Sequence, residues 1–182
     1  MTTRSNLSIS AVAVIAFVSA SPAFCDAAPS TSVKSEYLMT LYAPLDAPQA
    51  IDATLYVYNV PTGGWVDGPK IKGKIIPPSG DWLRILPSGA SRLDVRLTVQ
   101  TDDAQLIYVT YNGIAQCGKE ASAKYFKGEV MKADDCYFHT APTFQTKSEK
   151  YAWLNGVQAV GNVVAFKSGE APFVKYDLFV LR

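Results

Sequence analysis

A single histidine, three cysteines and few charges mark this 182-residue sequence. Charged residues make up 18% of it, against roughly 25% in an average soluble domain. One histidine cannot build a histidine-cluster metal site. Two cysteines and that histidine fall short of the roughly four ligands a zinc ion takes, so no metal and no cofactor is expected. Seventeen basic and sixteen acidic side chains nearly cancel, with no run of either sign. A nucleic-acid partner, which selects clustered basic surface, is therefore not expected. There is no phosphate-binding loop, no dinucleotide glycine motif and no Gly-x-Ser-x-Gly nucleophile elbow. The apolar run at residues 11–18 (AVAVIAFV) is far short of the about 20 residues of a membrane span.

That run does fit a secretory signal peptide. Arg4 precedes it, and Ser19, Ala20, Ser21, Pro22 and Ala23 follow as a small-residue cleavage zone. Residues 1–25 are read as the leader, with cleavage within 23–28. A lipoprotein needs a small residue before the cysteine, and Phe24 precedes Cys25. Discarding residues 1–25 leaves sixteen charges of each sign, and leaves Cys117 and Cys136 as the remaining cysteines. An exported chain meets an oxidising compartment, which predicts a Cys117–Cys136 disulfide and a periplasmic or secreted protein. Once the leader is gone, no stable membrane insertion is expected.

The remainder, residues 33–182, reads as one all-β domain. Strand-like runs occur at residues 36–43, 52–58, 70–76, 82–86, 90–100, 106–111, 137–145, 151–166 and 173–181. Turn chemistry separates them, as at Pro61-Thr62-Gly63-Gly64, Pro77-Pro78-Ser79-Gly80 and Lys167-Ser168-Gly169. Residues 119–126 (KEASAKYF) form the one helical stretch, with Gly128 to stop it. Eight or nine short strands predict a sandwich or a closed antiparallel barrel. An outer-membrane barrel is disfavoured, since several runs are shorter than the about 9–11 residues such strands need.

A series of short patterns also carries a family resemblance. It runs through Gly63-Gly64, Gly68-Pro69, Gly73, Gly80-Asp81-Trp82, Arg92-Leu93-Asp94-Val95-Arg96, Thr101-Asp102-Asp103, Ile107-Tyr108-Val109 and Tyr111-Asn112-Gly113. It continues through Tyr137-Phe138-His139-Thr140-Ala141-Pro142 with Phe144, and Tyr151-Ala152-Trp153-Leu154-Asn155. Over residues 35–182 the chain resembles the bacterial and fungal domain-of-unknown-function family 3237. The resemblance implies a compact lipocalin-like or allene-oxide-cyclase-like β-barrel and implies no activity. The chain departs from the family pattern at residues 117–136, a more variable segment there, and at His139, where arginine is common.

Candidate site residues follow from barrel geometry, in which side chains alternate between lumen and exterior. Arg92, Asp94, Arg96 and Thr98 share one face of their strand; Leu93, Val95, Leu97 and Val99 share the other. By alternation alone, the charged face meets solvent. The resemblance, whose pattern includes the Asp94 and Arg96 positions, instead favours that face as part of a lumen network or ligand contact. Read as one strand, residues 151–166 would align Tyr151, Trp153 and Asn155, with Tyr111, Trp82 and Phe144 adding aromatic surface. Trp82, Asp94, Arg96, Tyr111, Phe144, Trp153 and Asn155 are thus the candidate ligand-binding set, the alternative being an ordinary aromatic core. Asp94, Arg96 and His139 are the weaker candidates for catalysis. The functional expectation is an exported barrel binding a small, partly apolar molecule. The competing readings are a cofactor-free isomerase, cyclase or lyase, and a structural or oligomer-forming envelope protein.

Overall fold

The computed structural model describes residues 32–182. The expected leader, residues 1–25 with Cys25, lies outside them. The strands are β1 (Ser35–Pro44), β2 (Gln49–Ala50), β3 (Leu55–Asn59), β4 (Trp65–Asp67), β5 (Lys72–Ile85), β6 (Ser91–Thr101) and β7 (Leu106–Cys117). They continue with β8 (Met131–Lys132), β9 (Cys136–Gln145), β10 (Ala159–Lys167) and β11 (Phe173–Leu181). Helix α1 (Lys119–Phe126) has the bounds its sequence implied, and 3-10 turns occupy Ala133–Asp135 and Glu149–Gly156.

The pairings close a ring of eight antiparallel strands, in the order β1-β4-β5-β6-β7-β9-β10-β11 and back to β1. Strands β3 and β2 extend from the second half of β5, beyond the point where β4 has left it. The expected barrel is therefore present. Two local readings are corrected. The Pro77-Pro78-Ser79-Gly80 turn is not a connector. It is an irregularity inside the single long strand β5, where the register against β6 jumps from Ile76↔Thr98 to Gly80↔Arg96. Two extra residues are absorbed there, so the inward parity of β5 is kept. Ser79 fills the irregularity: its hydroxyl donates to the Ile76 carbonyl at 2.8 Å and accepts the Thr98 N–H at 3.0 Å.

Residues 151–166 are not one strand either. Residues 149–156 are 3-10 helical, and β10 begins only at Ala159. Three residues per turn put Tyr151 and Leu154 on one side, and both are buried. The Asn155 side chain locks the turn by accepting the Thr146 N–H at 2.8 Å and donating to the Thr146 carbonyl at 2.9 Å. Tyr151 donates to Asp103, which also holds Lys150 and the Thr101 hydroxyl, so the turn is tied to the β6–β7 hairpin.

The barrel interior has two unlike halves. Near the β6–β7 hairpin, Met39, Leu41, Ile75, Val99, Ile107, Val109, Leu154, Ala159, Leu178 and Val180 pack a solid core. Each of the larger side chains contributes about 1.5–3 kcal/mol by leaving water. At the other end the core opens.

Candidate functional site

An interior cavity of about 540 Å³ occupies the open half of the barrel. Its walls come from β3, the second half of β5, β6, β7, β9, β10 and β11, and α1 lies across its mouth. Leu83, Val95, Leu97, Phe138 and Phe166 supply apolar surface. Asp81, the five tyrosines Tyr56, Tyr58, Tyr111, Tyr125 and Tyr176, and the hydroxyls of Ser91 and Ser122 supply the polar groups. Lys167 is the one cation among the lining residues.

Asp81 reaches the interior through strand alternation. Asp81, Leu83 and Ile85 share the inward face of β5, while Trp82 and Arg84 point out. The carboxylate is only 8% exposed and accepts the Asp94 backbone N–H at 3.0 Å. No ion pair neutralises it among the described residues. Burial raises its carboxyl to about 7, the Asp94 N–H pulls the other way, and the Asp94 carboxylate adds a smaller upward push. Around it, burial holds the Tyr111 and Tyr176 phenols well above their ordinary value, and the Asp81 charge adds to both. Tyr58 is raised by burial and then by Tyr125. The Tyr176 hydroxyl is fully buried and completes no hydrogen bond with another side chain or backbone group, although it interacts with Tyr111 and Asp81. A carboxyl group near its midpoint at neutral pH, among phenols that stay protonated, can hold a neutral oxygen-bearing molecule or exchange a proton with it.

The disulfide borders the cavity through Cys117. Cys117 closes β7, Cys136 opens β9, and the two sit directly opposite with Cα atoms 4.4 Å apart. The bond thereby fixes both ends of the segment that carries α1. The Tyr125 ring packs on Phe166 at 5.6 Å, and the Ser168 hydroxyl donates to the Tyr125 carbonyl, so the helix is held over the opening.

Of the residues singled out from sequence, Tyr111 lines the cavity, together with Cys117 of the disulfide. Phe144 is buried but packs in the core away from it. Trp153 rests on the outside of the core with the Lys70 ammonium 5.6 Å from its ring centre, and Asn155 is an exposed turn lock. The reading of the charged face of β6 as a lumen network is overturned. Leu93, Val95, Leu97 and Val99 take the interior, because ionic groups there would cost several kcal/mol each in lost hydration. Asp94 pairs outside with Arg96 at 3.2 Å, both half exposed, an arrangement worth about 0–1 kcal/mol. Trp82 is 40% exposed with the Arg96 guanidinium 5.2 Å from its ring centre. His139 also faces outward, its Nδ1 2.9 Å from the Asn162 Oδ1.

Sequence reasoning misses Asp81, although it stands in Gly80-Asp81-Trp82. The signal that could have found it is its parity with Leu83 and Ile85, an acid in register with two aliphatic residues. Tyr58, Tyr125 and Tyr176 come from three distant segments, and nothing local marks them as neighbours.

Comparison with known proteins places this arrangement. The family model described as "Protein of unknown function (DUF3237)" matches residues 33–181. The UPF0311 protein of Clostridium acetobutylicum is 35% identical over 91 residues, covering 50% of this chain and 58% of that protein. The UPF0311 protein of Rhodopseudomonas palustris is 33% identical over 100 residues, covering 55% and 65%. These alignments thus span less than two thirds of the relatives' length. The crystal structure of the Rhodopseudomonas palustris protein superposes with a TM-score of 0.75 at 25% identity, over 85% of this chain and 100% of that one. A β-barrel-like protein from Acinetobacter baumannii gives a TM-score of 0.64 at 26% identity, over 86% and 100%. The chain belongs to the DUF3237 family, whose barrel it shares and whose function is unknown.

Proposed function

We propose that the protein binds a small, partly aromatic molecule in the open half of its barrel, and that the molecule is neutral and carries hydroxyl or carbonyl oxygens. The observation that carries this reading is the pairing of a 540 Å³ interior cavity with one buried acid and five tyrosines. The volume lies within the range of roughly 300–1,000 Å³ usual for small-molecule sites. The aromatic walls favour a flat apolar body. An anionic ligand is disfavoured, since Asp81 repels it and only Lys167 could offset the charge.

A thermal-shift panel of hydroxylated and keto aromatic compounds, each with its carboxylated analogue, tests the reading. Neutral members should raise the melting temperature and their carboxylated analogues should not. A panel in which neither class binds, or in which the anions bind better, would refute it.

A second reading has its own support. A carboxyl group raised to about 7 beside phenolic hydroxyls has the proton affinity of a general acid–base pair at neutral pH. The protein then acts as a cofactor-free isomerase, cyclase or lyase, with Asp81 in the role the sequence suggests for Asp94. Asp81→Asn should abolish turnover of a bound substrate while leaving its binding within a few fold. Equal turnover by the variant would exclude this chemistry.

We also infer that the chain is exported. The motivation is the leader-like order of residues 1–25 together with the Cys117–Cys136 disulfide, a bond that reducing compartments disfavour. Cell fractionation of a tagged chain, with mass analysis of its amino terminus, tests this. An intact leader in the cytosolic fraction would refute it.

A further inference from the structure

The outer surface of the barrel carries a second concavity, of about 760 Å³, over β5, β6, β7 and β9. Its residues sit in rows that follow strand register. One row runs Arg84↔Arg92, Arg92↔Ile114 and Ile114↔His139 across the four strands. In the next row short side chains, Asn112 and Ala141, stand opposite each other and leave the hollow. Trp82 and Arg96 wall one side, Tyr137 the other.

Two features of this hollow are unfavourable for the protein alone. Arg84 and Arg92 stand directly opposite on neighbouring strands, where like charges repel. Neither forms an ion pair among the described residues. The Asp52 carboxylate is felt weakly by Arg84, and its Oδ1 accepts the Thr54 N–H, the Thr54 hydroxyl and the Leu55 N–H. In addition, Trp82 and Tyr137 are 40% and 60% exposed, although Arg96 lies over the Trp82 ring and Tyr137 packs edge-on with His139. The charges are concentrated here. Three arginines and Asp94 make a local charge of +2, whereas the whole chain sums to +1.

We propose that this outer groove is a binding site for a flat organic anion, its carboxylate or phosphate group bridging Arg84 and Arg92 and its ring system lying against Trp82 and Ile114. Guanidinium forks match the paired oxygens of such groups, and an anion between the two arginines turns their repulsion into shared attraction. Trp82 is held ready by the Arg96 guanidinium over its ring. The site is independent of the interior cavity: its ligand is an anion, and the interior disfavours one.

The test follows the Trp82 indole N–H resonance of the full chain, assigned with Trp82→Phe, during titration with 2-naphthoate, 2-naphthyl phosphate and neutral 2-naphthol. A saturable shift is expected with one or both anions, and the better of the two identifies the headgroup. Affinity for 2-naphthol should be about tenfold weaker, since charge-assisted hydrogen bonds are lost. Arg84→Gln and Arg92→Gln should each weaken anion binding by about tenfold. Neither should lower the melting temperature, because each relieves the like-charge pair. Arg92→Lys keeps the charge without the fork and should bind at an intermediate level. The proposal is overturned by equal binding of 2-naphthol, by unchanged anion binding in both glutamine variants, or by a shift at interior resonances with none at Trp82. A lower melting temperature in both variants would also overturn it, because the arginines would then have structural partners.

Discussion

Asp81 makes the folded barrel a proton acceptor, and stability must record it. The folded carboxyl titrates at about 7, while an unfolded aspartate titrates near ~3.9. Between those values the folded protein holds a proton that the unfolded chain has released. Stability therefore falls as pH rises through this window. Below it both states are protonated and the group is neutral in effect; above it the full penalty of a buried carboxylate is present. A difference of about 3 units at about 1.4 kcal/mol each gives a penalty of ~4 kcal/mol. The amide introduced by Asp81→Asn would keep an acceptor for the Asp94 N–H and carry no charge. Urea unfolding of wild type and Asp81→Asn, followed by tryptophan fluorescence from about pH 4 to pH 8, isolates the contribution as a difference. The two proteins should differ least near pH 4, and the variant should gain steadily toward ~4 kcal/mol by about pH 8. In melting temperature this is about 8–16 °C for a domain of this size. A difference that stays flat across the window would refute the assignment of a buried, unpaired carboxylate, and with it the polar character of the interior cavity.

Tyr176→Phe removes a fully buried hydroxyl that completes no hydrogen bond with another side chain or backbone group, although it interacts with Tyr111; calorimetry should show unchanged stability or a gain of up to about 1 kcal/mol. Reducing the Cys117–Cys136 bond, or replacing both cysteines with serine, should cost about 3 kcal/mol in urea unfolding and speed hydrogen exchange in α1 before the barrel strands. Gly161→Ala should destabilise by about 1–3 kcal/mol, because the added Cβ would stand 2.3 Å from the Thr140 Oγ1 and 2.7 Å from the Leu178 Cδ2.

Strand identity is legible where local chemistry and tertiary context agree. The alternation of β6 reads directly from Leu93, Val95, Leu97 and Val99, and α1 ends where Gly128 follows it. Legibility fails where one local pattern serves two structures. Pro77-Pro78-Ser79-Gly80 has turn composition, yet β6 pairs on both sides of it and the chain bulges instead of reversing. Residues 151–156 carry aromatic and apolar side chains that suit a strand. Burial of Tyr151 together with Leu154, three positions on, demands a 3-10 turn. Asp94 and Arg96 share one face of β6 in the sequence reading, and the structure turns that face outward, with Trp82 beside Arg96. The desolvation of Arg92, Asp94 and Arg96 settles that choice, and the family pattern carries no such cost.

By itself the sequence determined the things that depend on local periodicity and composition: an all-β domain, one short helix, a cysteine pair and near-neutral charge. It also determined, unread, that Asp81 shares parity with Leu83 and Ile85. Only the tertiary structure decided which half of the barrel is solid and which is open. That depends on how side chains from distant strands fill a common volume, and on where α1 comes to rest. The same closure brings Tyr58, Tyr111, Tyr125 and Tyr176 to one buried carboxylate, and sets Arg84 and Arg92 opposite each other outside. The chemistry of both hollows comes from residues far apart in the chain, so it exists only once the ring of strands has closed.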